Sequence, residues 1–407
     1  MKLVLLFILL VVMVIFAGCT SSTPPLTTQT TPATPASATL VATPAATPAG
    51  TVLPNLVGNW TGMSRGYVEA SGYQATDEVI RINVVEQTDR LFKGQLSFPE
   101  NGSQVIKEFA GVLGADGKTI EDVEYPGGFS DGVVISADEI ELIFRDQAKP
   151  STITIDSLKR STASGKTATP AIQPMPDLLG KWNGSSKGYM DTSGYQVARD
   201  IMSINVTGQT DRLFKGQVTF VLNKTVVTKN FAGVIGLDGK TFKTVENPDG
   251  FSDGVILSAD EIELTFRDNV YPSRVVIDSL RRSTATSPGV PFAASVMPDI
   301  FGNWSGISTG YMKTDSGYQV IQGTMTMNVT EQADRLLKGH IDYVINGSPV
   351  TKEFAGVFGR DGKTIETVEY PDGFSNGVII SADEIQLIYR NTDNPSDIAI
   401  DTFKRSR

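Results

Sequence analysis

Cysteine and histidine are nearly absent: the 407 residues contain one of each, Cys19 and His340. A lone Cys excludes an intramolecular disulfide, so the chain must fold on packed cores. One His and one Cys also exclude a catalytic His, a Cys nucleophile or a His/Cys metal site shared among several copies of a domain. Basic excess is missing too. Lys and Arg total 35 against 45 Asp and Glu, for a formal charge of −10, and a nucleic-acid binder would carry a basic footprint. No apolar run reaches the ~20 residues of a spanning helix, and long helical periodicity is absent. What is present is Gly, at 39 residues, and a 40% hydrophobic fraction. That balance predicts packed β structure with many turns.

The first residues are Met1-Lys2, an apolar run from Leu3 to Ala17, and then Gly18-Cys19-Thr20. A short positive start, an apolar stretch and small residues at its end mark an export signal, here 1–19. Ala17-Gly18-Cys19 resembles the lipobox of prokaryotic lipoproteins, which implies a lipidated Cys19 and a membrane partner; an uncleaved signal anchor is the alternative. Residues 20–53 are almost entirely Thr, Pro, Ala and Ser. This composition cannot build a core and predicts a disordered stalk.

Self-comparison shows three copies of one unit. Pro54-Asn55-Leu56-Val57-Gly58-Asn59-Trp60 returns as Pro176-Asp177-Leu178-Leu179-Gly180-Lys181-Trp182 and as Pro298-Asp299-Ile300-Phe301-Gly302-Asn303-Trp304. Asp89-Arg90-Leu91 and Phe129-Ser130-Asp131-Gly132 recur in step with it. The repeats span 54–162, 176–284 and 298–407, with Pro/Ala/Ser/Thr linkers at 163–175 and 285–297. Units of about 108 residues exceed solenoid turns and are domains.

Within the first copy, eight strand-like runs lie near 56–67, 74–86, 91–98, 104–113, 119–125, 132–136, 140–145 and 151–158. Several alternate with period two: Phe92, Leu96 and Phe98 against Lys93, Gln95 and Ser97, or Ile153 and Ile155 against Thr152, Thr154 and Asp156. Tight turns separate them, which predicts an all-β chain of three tandem eight-stranded up-and-down antiparallel β-barrels, with β-sandwiches as the alternative. Gly58-Asn59-Trp60 resembles the Gly-x-Trp signature of the calycin superfamily (lipocalins, avidins). That resemblance implies a plug in which an Arg after the last strand covers the Trp: Arg160 over Trp60, Arg282 over Trp182 and Arg405 over Trp304. Strand parity then puts the short Asp-Arg, Asp-Gly-Lys and Asp-Glu turns at the plugged end. The other end collects loops bearing Tyr67, Tyr73 and Phe129, repeated as Tyr189, Tyr195 and Phe251 and as Tyr311, Tyr318 and Phe374. These rings are candidates for a ligand rim, or they cap the barrel core.

No catalytic constellation, metal site or cofactor motif emerges. Asp138-Glu139 and its copies read as solvated turns, and Gly114-Ala115-Asp116-Gly117-Lys118-Thr119 lacks the spacing of a phosphate loop. Sequons at Asn101, Asn223 and Asn346 fall on one hairpin in all three copies and are candidate glycosylation sites. The leading expectation is a non-enzymatic, lipid-anchored cell-surface protein that binds a repetitive ligand such as a polysaccharide or envelope polymer. A structural envelope component and a carrier of small molecules inside the barrels are the alternatives.

Overall fold

In the computed structural model, residues 53–69, 71–100, 102–146, 151–161, 175–191, 194–222, 224–268, 273–285, 297–345, 347–393 and 396–406 are described. The export signal, Cys19, the stalk, most of both linkers and the sequon residues Asn101, Asn223 and Asn346 lie outside them.

Among the described residues every regular element is a strand, and each repeat closes into its own barrel. The first comprises β1 (Gly58–Glu69), β2 (Tyr73–Thr88), β3 (Leu91–Glu100), β4 (Ser103–Leu113), β5 (Thr119–Tyr125), β6 (Phe129–Ser136), β7 (Glu139–Asp146) and β8 (Thr152–Arg160). The second runs from β9 (Gly180–Asp191) through β10 (Tyr195–Thr210), β11 (Leu213–Leu222), β12 (Thr225–Ile235), β13 (Thr241–Asn247), β14 (Phe251–Ser258) and β15 (Glu261–Asp268) to β16 (Arg274–Arg282). The third has β17 (Gly302–Thr314), β18 (Gly317–Ala333), β19 (Leu336–Ile345), β20 (Ser348–Phe358), β21 (Thr364–Tyr370), β22 (Phe374–Ser381), β23 (Glu384–Asn391) and β24 (Asp397–Arg405). Neighbours in sequence pair antiparallel, and the last strand of each barrel pairs with its first: Trp60 opposes Arg160, Trp182 opposes Arg282 and Trp304 opposes Arg405. The closure leaves no free sheet edge. It also needs close backbone approach. A Cβ on Gly62 would sit 1.8 Å from the Ser157 carbonyl oxygen, so only Gly fits there.

Each Trp lies in its barrel floor. Trp60 is 1% exposed, and its indole N–H donates to the Leu56 carbonyl at 2.9 Å. The Arg160 guanidinium lies 4.2 Å from the ring centre and donates to the carbonyls of Val57 and Asn55, both at 2.7 Å. Arg282 and Arg405 repeat this over Trp182 and Trp304, at 4.3 and 4.4 Å. The guanidinium thus answers carbonyls of the segment just ahead of β1 while stacking on the indole. Trp60→Ala is expected to cost about 3–5 kcal/mol, as for other buried aromatics. An unchanged urea midpoint for the full chain would contradict this.

Side chains fill the interiors. In barrel 1, Leu56, Trp60, Ile82, Val84, Phe92, Leu96, Phe109 and Leu142 form one core, and the space left among them is about 20 Å³. Barrel 2 holds spaces of about 20 and 50 Å³. These admit one to a few waters, far below the ~300 Å³ of a small ligand pocket. The expectation that these barrels carry apolar ligands inside is therefore corrected.

Candidate functional site

The barrels are not beads on a string. Outward-facing residues of all three merge into a further hydrophobic core: Tyr67, Tyr73, Leu91, Val112, Val123, Phe129, Ile143 and Ile153 of barrel 1, with their counterparts in barrels 2 and 3. The contacts are cyclic. β2, β7 and β8 of barrel 1 meet β12 and β13 of barrel 2, β9, β15 and β16 meet β20 and β21 of barrel 3, and β17, β18, β23 and β24 meet β4 and β5 of barrel 1. Three barrels thus surround a pseudo-threefold axis.

This corrects the rim expectation. Phe129, Phe251 and Phe374 form a triangle on that axis, with ring centres 4.8–5.0 Å apart. None of the three is more than 1% exposed. Tyr67, Tyr73, Tyr189, Tyr195, Tyr311 and Tyr318 are buried at the seams, each seam holding a Lys from the following barrel. Lys215 donates to the Tyr73 carbonyl at 2.8 Å and lies over Tyr67. Lys338 does the same at Tyr195 and Tyr189, and Lys93 at Tyr318 and Tyr311. The rings face neighbouring barrels, because their strands carry apolar residues on both faces.

Below the Phe triangle sits a charged ring. Arg145, Arg267 and Arg390, each fully buried, stack on the Phe rings at 4.7–5.4 Å. Arg145 pairs with Asp131 of its own barrel and with Asp253 of the next at 2.9 Å. Arg267 pairs with Asp253 and donates to Asn376 Oδ1 at 2.6 Å. Arg390 closes the circle on Asp131 at 2.9 Å and Glu121 at 3.1 Å. Lys243, where the other repeats have Glu121 and Glu366, bonds Asp131 and Asp253 at 3.2 and 2.9 Å. In formal charge, repeat 1 brings Glu121, Asp131 and Arg145, a net −1; repeat 2 brings Lys243, Asp253 and Arg267, a net +1; repeat 3 brings Glu366, Asn376 and Arg390, a net zero. The assembled ring is neutral, as buried charge requires.

A second layer lies nearer the plugged ends. Arg212 grips Glu141 of barrel 1 with two bonds, at 2.7 and 2.8 Å. Arg335 holds Glu263 of barrel 2 at 2.9 Å. At the closing seam, Arg90 meets Gln386 at 2.8 Å instead of a carboxylate. Burial pulls Arg90 down to about 10, opposed by Asp116 and Glu121. An axial cavity of about 600 Å³ lies at this seam, lined by Arg90, Asp116, Glu121, Lys243, Glu366 and Gln386 among others. The sequence reading placed Arg90, Arg212 and Arg335 in polar turns and missed them. Their only signal was an Arg at the same turn in all three copies.

The ends of the barrels away from the Trp hold buried acids that point inward. Burial pushes Glu124 up to about 7 and Asp156 to about 6 in barrel 1. It pushes Glu246 to about 7 and Asp278 to about 8 in barrel 2, and Glu369 to about 8 and Asp401 to about 6 in barrel 3. Each folded value exceeds the unfolded one, so the native state holds these protons more tightly. Their stabilisation is complete below about pH 4 and is lost as pH rises through the folded values. Asp131 and Asp253 behave oppositely. Burial pushes them up, but the surrounding Arg and Lys side chains hold them well below the usual range, so their contribution is lost in acid. The Tm is expected to rise as pH falls from 8 to about 5, and to drop again below about 4. Thermal melts at constant ionic strength check this; a Tm that climbs from pH 5 to 8 would refute it.

His340 is half-buried on β19, 3.6 Å from Asp342. Among the described residues no group of three His, Cys, Asp or Glu is placed to hold a metal ion.

No family model matches the chain, and no curated protein matches it. Solved structures show distant likeness. A protein of unknown function from the DUF3598 family of Nostoc punctiforme is 12% identical, with 56% of this chain and 96% of that chain covered at a TM-score of 0.25. A redesigned β barrel is 16% identical, covering 30% and 100%, at 0.22. A mutant transferrin binding protein B from Haemophilus parasuis is 12% identical, covering 87% and 78%, at 0.22. At this level of overlap, no function transfers from them.

Proposed function

We propose that this protein is a non-enzymatic binding head, held at the cell surface by lipid on Cys19 and raised on its Thr/Pro-rich stalk. The observation that carries the reading is the shared core on the pseudo-threefold axis. It fixes three copies of one outer barrel surface in a single rigid arrangement, so a repetitive polymer meets several equivalent faces at set spacing. Fixed geometry favours multivalent capture, because later contacts follow the first without further ordering cost. A polysaccharide or envelope polymer fits that description. Filled barrel interiors favour surface recognition over carriage.

The test is co-sedimentation of the purified full chain with intact cells and with isolated envelope polysaccharides. Retention on polymer that single repeat units of that polymer displace poorly is expected. Absence of retention across a broad panel would remove the polymer reading and leave a structural envelope component.

A further inference from the structure

We propose that a small zwitterion with an aliphatic side chain binds in the axial cavity at the seam between barrels 3 and 1. Its carboxylate sits on Arg90 and its ammonium group on Glu366. The other two seams show what this position requires. Arg212 and Arg335 each receive a carboxylate, Glu141 and Glu263, from the preceding barrel. The third seam supplies Gln386, a neutral group with a single bond to Arg90 Nη1. Arg90 is 1% exposed, yet its Nη2 has no hydrogen-bond partner. Asp116 and Glu121 offset its charge from nearby, but a buried guanidinium N–H with no direct acceptor is costly unless something completes it.

The cavity at this seam measures about 600 Å³, within the ~300–1,000 Å³ typical of small-molecule sites. Arg90 lines it on one side and Glu366 on the other barrel's side. Glu366 Oε2 also lacks a hydrogen bond and lies 3.5 Å from Arg267 Nη2. That ion pair is long and leaves the oxygen able to accept a further donor. Lys243, the other cation in the lining, is already engaged by Asp131 and Asp253. Ile365, Val378 and Ile388 add apolar wall. Arg90 Nη2 without an acceptor and Glu366 Oε2 without a hydrogen bond line the same cavity. A lone anion answers only the first and a lone cation only the second, whereas a molecule carrying both charges answers both.

The test is calorimetric titration of the purified full chain with leucine, isocaproate (no amine) and isoamylamine (no carboxylate). Leucine is expected to bind at one site per chain, and the two single-charge analogues roughly tenfold more weakly or worse. Gln386→Glu supplies the carboxylate that the other seams possess. It is expected to abolish leucine binding and raise the denaturation midpoint. If that variant fails to fold, Arg90→Lys, which loses the planar fork, is expected to weaken leucine by roughly tenfold. No heat with leucine on folded protein, leucine binding unchanged in either variant, or isocaproate as tight as leucine would each overturn the proposal. None of these outcomes bears on polymer capture by the outer faces.

Discussion

Expressed alone, residues 54–162 are expected not to yield a soluble monomer. The barrel itself would close, since its strands pair only with one another. Its outer face is the difficulty. Tyr67, Tyr73, Leu91, Val112, Val123, Phe129, Ile143 and Ile153 are each 7% exposed or less in the intact head, and all belong to the core shared with the other barrels. At roughly 1.5–3 kcal/mol per large apolar side chain, exposing them forfeits on the order of 10 kcal/mol. A whole domain has only ~5–15 kcal/mol. Self-association to a trimer is the natural escape, but charge opposes it. Three copies of repeat 1 would gather three net negative charges on the axis, and three copies of repeat 2 three net positive ones. Mixing separately produced repeats 1, 2 and 3 should therefore give a one-to-one-to-one complex in preference to any homotrimer. Size-exclusion chromatography with native mass spectrometry reads this directly. A monodisperse monomer of repeat 1 would show that the shared core contributes little.

The second large effect is expected at Arg390. Arg390→Met keeps most of the volume between Phe129 and Phe374 but strips Glu121 of its cation and Asp131 of one of three. Breaking a buried pair on one side typically costs about 3–5 kcal/mol, because the orphaned charge stays behind. The double variant Arg390→Met with Glu121→Gln removes both ends of one contact. It is expected to recover part of that loss, with a coupling of roughly 1–3 kcal/mol between the sites. Urea denaturation of the four proteins in the cycle measures it. Additive losses would mean that Glu121 and Arg390 do not feel each other across the seam.

Much of the architecture was legible because barrel strands alternate. Phe92, Leu96 and Phe98 against Lys93, Gln95 and Ser97 announced β3 and its inner face. Period two also placed the other strands within a few residues of their observed bounds. The last strand shows where alternation alone stops. Ile153 and Ile155 look like the core face and Thr154 and Asp156 like the wet one. In the structure the isoleucines face outward into the neighbouring barrel, and Asp156 points into its own barrel. Periodicity reports which residues share a face, not which face is inside. The better clue was Leu142-Ile143-Phe144-Arg145 in β7, apolar on both faces as in strands buried on two sides. The charged ring was out of reach for a different reason. Its cross-barrel partners lie about a hundred residues or more apart along the chain, and only the packing of three barrels brings them together.

The unequal charges of the three repeats carry a genetic consequence. Tandem duplications are prone to loss of a copy by unequal recombination, which leaves the reading frame intact and shortens the array. Here a two-copy product would have an open flank of Phe, Tyr and Ile. Joining repeat 1 to repeat 3 would also leave Asp131 and Glu121 without Lys243 to answer them. Such a deletion would yield an insoluble or unstable product rather than a smaller working one. The copies are not interchangeable, so an array of three is what the chemistry of the axial site requires, a site that no single copy encodes.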